Sequence, residues 1–187
     1  MPVTASPRRD ELLERAYLYA LEHGVADLSL RPLAAAVGSS PRVLLFLFGS
    51  KAGLVQALLG RAREDELALL ERAREIGARP PGDSDPLEVA SEVWAWLAAE
   101  EHRALLNLWV EGYARSLIEP DGPWSGFAAA TVADWLGLLE EVGGDASDST
   151  LILAVLRGAM LDLLATGDLE RVGAAVGRQL SLMAATA

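Results

Sequence analysis

Apolar residues recur three and four positions apart along almost the whole chain, and no stretch alternates β-branched and polar residues as a strand would. The pattern predicts an all-α fold of about nine helices. The first runs over Arg8 to His23, with Leu13, Ala16, Tyr17 and Ala20 on one face and Gly24 as its stop. Two short helices follow near 30–37 and 41–48. A long one from Lys51 to Ile76 would measure roughly 40 Å at 1.5 Å per residue. The segment Gly77 to Pro86, GARPPGDSDP, reads as a loop. Further helices are expected over 86–101, 103–118, 124–142, 149–166 and 168–185. They are separated at His102, at Pro120 to Pro123, at Gly143 to Asp148 and at Gly167.

Turn and cap residues sharpen the region from Leu28 to Lys51, LSLRPLAAAVGSSPRVLLFLFGSK. Ser29 is placed to cap the second helix, with Pro32 in its first turn, where a missing N–H is harmless. Gly38 ends that helix. Ser40 caps the third, whose first residue is Pro41, a favoured position for proline. Helix, short turn, helix is the arrangement that presents a second helix to a DNA major groove. At 100° per residue Leu44, Leu47 and Phe48 face Leu30, Leu33 and Val37, which turns Arg42, Val43, Leu45 and Phe46 outward. Either that apolar outer face touches a partner, or Leu45 and Phe46 pack against the first or fourth helix. Lys51 sits in the first turn of the fourth helix, where a cation opposes the helix dipole unless a phosphate binds there.

Charge changes the picture only through its distribution. The 187 residues carry a net −11, but residues 1–63 hold +3 and residues 64–187 hold −14. A basic head on an acidic body suits nucleic acid at one end. Cysteine is absent, so disulfides and thiolate metal sites are excluded. The N-terminus lacks a signal-peptide pattern, and the apolar run Leu151 to Leu164 is interrupted by Arg157 and Asp162 and is too short to span a bilayer. A cytoplasmic protein without a membrane partner is expected. With two histidines 79 positions apart and no H-E-x-x-H, phosphate-cradling loop or G-x-S-x-G elbow, an enzyme is not expected, nor any cofactor.

The run Gly38 to Leu54, GSSPRVLLFLFGSKAGL, resembles the helix-turn-helix signature of the TetR family of regulators through Gly38, Ser40, Leu44, Phe48, Ser50, Lys51 and Leu54. The chain departs from that signature at Leu45, where the family usually has a phosphate-contacting Tyr, and at Phe46, where His or Arg is frequent. The resemblance implies a DNA-binding domain over 8–55 and an effector-binding and dimerisation domain over 56–187. It implies backbone contacts from Ser29, Arg31, Ser40 and Lys51, and a reading face of Pro41, Arg42, Val43, Leu45 and Phe46. The implied partners are double-stranded palindromic operator DNA and a second copy of the chain. The implied action is repression, relieved by a small apolar or aromatic effector. A helical module that has lost DNA binding is the alternative.

Small residues among Leu, Val and Met in the last two helices suit close helix pairing, and in the family such helices form the dimer interface. The expected contacts are Leu151, Val155, Gly158, Ala159, Asp162, Gly173, Gly177 and Leu180. The middle helices hold all five tryptophans. Candidate effector contacts there are Trp94, Leu97, His102, Trp109, Tyr113, Trp124, Phe127 and Trp135, although aromatic residues at helical spacing also serve as plain core.

Overall fold

The computed structural model describes residues 7–25, 27–77 and 86–185. Among them are nine α-helices and no strand. These are α1 (Pro7–His23), α2 (Leu30–Ala36), α3 (Pro41–Phe48), α4 (Lys51–Gly77), α5 (Pro86–Ala98), α6 (Arg103–Ile118), α7 (Phe127–Glu141), α8 (Ala146–Thr166) and α9 (Leu169–Ala184). The all-α expectation and the element order hold. Most of the loop expected over 77–86 lies outside the described residues.

Three boundaries move, each for a local reason. A 3₁₀ turn over Glu100–His102 replaces the end of the expected fifth helix. Gly126, at φ +77°, delays α7 to Phe127. Asp145 caps α8 early, accepting from the amides of Ser147 and Asp148 at 2.7 and 2.9 Å. The buried face of α1 is Leu12, Ala16, Tyr17 and Ala20, and Leu13, expected on it, is only half-buried. With that early start, α8 has 21 residues and by length and composition could cross a membrane, which corrects the expectation from Leu151–Leu164. One face of it, through Ile152, Leu156, Met160 and Leu163, is buried.

The chain divides into two compact units, Met1–Glu66 with Ala104–Ala128 and Leu67–Arg103 with Ala129–Ala187. The division falls within α4. It differs from the linear 55/56 partition because α6 joins the unit that holds α1–α3.

In the first unit the chain leaves α1 at Gly24, φ +74°, and the Val25 amide donates to Glu111 Oε2 of α6 at 2.8 Å. A Cβ on Gly24 would stand 3.1 Å from that oxygen, so both the conformation and the close approach call for glycine. A polar cluster ties α1 to α4. The Tyr17 hydroxyl donates to Asp65 at 2.7 Å, Arg61 donates to Asp65 and, at 2.8 Å, to Glu14, and its guanidinium lies 4.7 Å from the Tyr17 ring centre.

In the second unit α5, α8 and α9 pack on one another. The α9 stripe Val172, Val176, Leu180 and Met183 follows the helical period and is buried. The α8–α9 corner turns at Gly167, φ +70°. Arg171 braces it, with its two terminal nitrogens donating to the Asp162 carboxylate at 2.8 and 2.6 Å. That pairing holds the Asp162 carboxyl below the usual aspartate range. A carboxyl lowered in the folded state contributes stability above its unfolded value and loses it as pH falls through the folded one. The melting-temperature advantage of the protein over Arg171→Ala is therefore expected in full above about pH 4. It should shrink in more acidic buffer and with added salt. A pH-independent difference would contradict the assignment.

Candidate nucleic-acid interface

The candidate edge around α3 is built by caps and two glycine corners. Gly38, at φ +66°, closes the end of α2, where the Ser39 amide donates to Ala34 O at 2.8 Å. Ser40 Oγ accepts from the Val43 amide at 3.3 Å, and Pro41 opens α3. Ser29 occupies the N-cap position of α2, but its side chain makes no capping bond, so the capping role expected for it is corrected. At the next corner Gly49 turns the chain at φ +77°, and Ser50 Oγ accepts from the Gly53 amide at 3.0 Å. Ser50 is thus the cap that places Lys51 at the first position of α4, a role the sequence reading missed. The S-x-x spacing ahead of an apolar run was its only signal.

One side of α3, Leu44 and Phe48, is buried and Leu47 is half-buried. The other side is bare. Val43 and Leu45 are each 39% exposed and Phe46 is 84% exposed, so the alternative of Phe46 packing within the chain is excluded. Ser29, Arg31, Ser40, Arg42 and Lys51 are also exposed, and Pro41 is half-buried. All nine expected DNA-contacting residues therefore lie in one unit.

Charge in this unit is partitioned. Away from α3 the cations are neutralised: Arg8 and Arg15 pair with Glu11 at 3.0 and 2.8 Å, and Arg61 pairs with Glu14 and Asp65. No described acidic group forms an ion pair with Arg31, Arg42 or Lys51. Arg31, Arg42 and Lys51 therefore keep exposed, unpaired positive charge of the kind a phosphate backbone would meet.

The candidate effector residues fall in both units. Trp109, Tyr113, Trp124 and Phe127 lie in the first, and Trp94, Leu97, His102 and Trp135 in the second. In the first, the Trp109 and Tyr113 ring centres are 5.2 Å apart, and Trp109 Nε1 donates to Glu66 Oε1 at 3.3 Å. Glu66 is only 5% exposed and was missed, although it interrupts the apolar run of α4 through Leu58, Ala62, Leu69 and Ala73. In the second, His102 stacks on Trp96 at 3.8 Å and donates through Nδ1 to the Trp96 carbonyl at 2.8 Å. Trp96 was outside the expected set.

On α8 and α9, Leu151 is exposed, and Gly158 and Gly177 face open space. Val155, Ala159, Gly173 and Asp162 are half-buried. Gly173 lies near Trp94 of the same chain, Asp162 is held by Arg171, and Leu180 is buried in its own unit. The expectation of an interface contact is corrected for Leu180, because its side chain already fills the core.

No protein-family model matches the sequence, and no curated protein matches it. Solved structures do. The multidrug binding protein EbrR in complex with imidazole is 25% identical over 95% of this chain and 93% of that one, with a TM-score of 0.67. Its complex with ethidium gives 26% identity over 91% and 97%, at 0.65. A TetR-like transcriptional regulator from a Rhodococcus species is 22% identical over 94% and 92%, at 0.63. From α1 to α9, this chain has the fold of the TetR-like transcriptional regulators.

Proposed function

We propose that the chain is a DNA-binding transcriptional regulator that grips palindromic operator DNA as a homodimer and represses until an effector releases it. The observation that carries this reading is the bare face of α3 in the unit where Arg31, Arg42 and Lys51 are exposed and unneutralised. The open strip on α8 and α9 around Gly158 and Gly177 supports pairing of two copies. Two reading helices about 34 Å apart then match successive major grooves. Such a protein acts in the cytoplasm, without catalysis or cofactor.

EbrR is solved with ethidium and with proflavin, which are flat aromatic molecules. A flat, largely apolar effector is the corresponding reading here, with Trp109 and Tyr113 among its contacts. Effector and operator would be coupled by about 1–3 kcal/mol, a roughly 5- to 150-fold change in operator affinity.

Gel shifts on the intergenic DNA beside the coding region, or on duplexes selected from a random pool, test the proposal. Arg42→Ala is expected to weaken specific binding by about 1–3 kcal/mol and relax the preference at one base pair. Lys51→Ala should weaken binding to all duplexes alike and lower the salt slope by about one. No specific shift with the unsubstituted protein would favour a helical module that binds ligands or proteins only.

A further inference from the structure

Phe46 is the most exposed large apolar side chain among the described residues, while the other Phe and Tyr rings of α1 and α3, apart from half-buried Tyr19, are buried. Leu45 and Val43 extend its apolar surface. Arg42 stands one helical turn before it, about 6 Å along the axis, and Arg31 and Lys51 of the same unit are exposed and unpaired among the described residues. The occupant of this surface must offer negative charge around a small apolar target. A membrane or protein face would offer broad apolar area. The major groove offers phosphates on both sides and, on its base edges, a single kind of apolar group, the C5-methyl of thymine.

We infer that Phe46, resting on the reading above that α3 enters the groove, is the specificity-determining residue and selects thymine by its methyl group. Arg42 then reads a guanine one or two base steps away, since a turn of helix covers about two steps of 3.4 Å. Val43 and Leu45 exclude water around the methyl contact.

Duplexes are selected from a random pool by the purified protein, and each thymine is replaced in turn by deoxyuridine, which removes only the methyl. At one position per half-site the replacement is expected to raise Kd about fourfold, and about 15-fold when both half-sites are changed, from the transfer free energy of one buried carbon. Phe46→Ala should bind the thymine and deoxyuridine duplexes equally, with an unchanged melting temperature and salt slope. If duplexes are selected but deoxyuridine at every position leaves Kd unaltered, the role of Phe46 is overturned and the regulator reading stands. A Phe46→Ala protein that still discriminates the two duplexes overturns it equally. If no duplex is selected, both fail.

Discussion

Leu44→Ala is expected to lower unfolding free energy by about 2–5 kcal/mol, out of a total of about 5–15 kcal/mol for a domain. Leu44 is 0% exposed, and α3 has only eight residues. A helix that short has no stability of its own in water, because nucleation is unfavourable and few bonds repay it. It persists because Leu44 and Phe48 are buried along with Leu33 of the neighbouring α2 and Val37, which caps it. Removing the Leu44 side chain leaves a cavity at the point that holds α3 in place, so specific DNA binding should weaken as well. Urea unfolding measures the first effect. Leu45→Ala is the control: it removes the same atoms from a side chain exposed to solvent and should cost far less. Equal losses would show that α3 is not seated as described.

The second large effect appears in alkali. Burial, and then the hydrogen bond to Asp65, hold the Tyr17 phenol well above the usual tyrosine range. A group raised in this way contributes stability that is complete below its unfolded value, about pH 10, and is lost as pH climbs toward the folded value. The loss approaches about 1.4 kcal/mol per pH unit. Tyr17→Phe loses the hydrogen bond, worth about 1 kcal/mol at neutral pH, because Asp65 keeps Arg61 as a partner. The substituted protein should therefore be the weaker at neutral pH, equal near about pH 11, and the more stable of the two above that. Other tyrosines cancel in the difference. A stability gap that stays flat between about pH 9 and pH 12 would mean that the phenol ionises freely.

The corner between α2 and α3 was legible because local chemistry specifies it. Gly38, Ser40 and Pro41 declare a turn and a helix start whatever packs around them, and the 3.6-residue period then assigns Leu44 and Phe48 to the face toward α2, while the exposure of Phe46 was decided only by what the other helices leave uncovered. The effector region was not legible to the same degree. Aromatic spacing identifies helices but says nothing of which ring meets which, so Glu66 beside Trp109 and Trp96 beside His102 emerged only from the coordinates. Leu180 shows the same limit, since an apolar residue on an amphipathic helix fits a core or an interface equally well.

Helix content, element order, the cap of α3 at Ser40 and the inward set Leu44 and Phe48 were decided by residues within a few positions of one another. Those preferences act through backbone torsion and hydrogen bonding over a single turn. The grouping of α6 with the head, the clustering of Tyr17, Arg61 and Asp65, and the pairing of Arg61 with Glu14 of another helix needed the tertiary structure. They join residues up to 86 positions apart, and packing, not local propensity, chooses such partners.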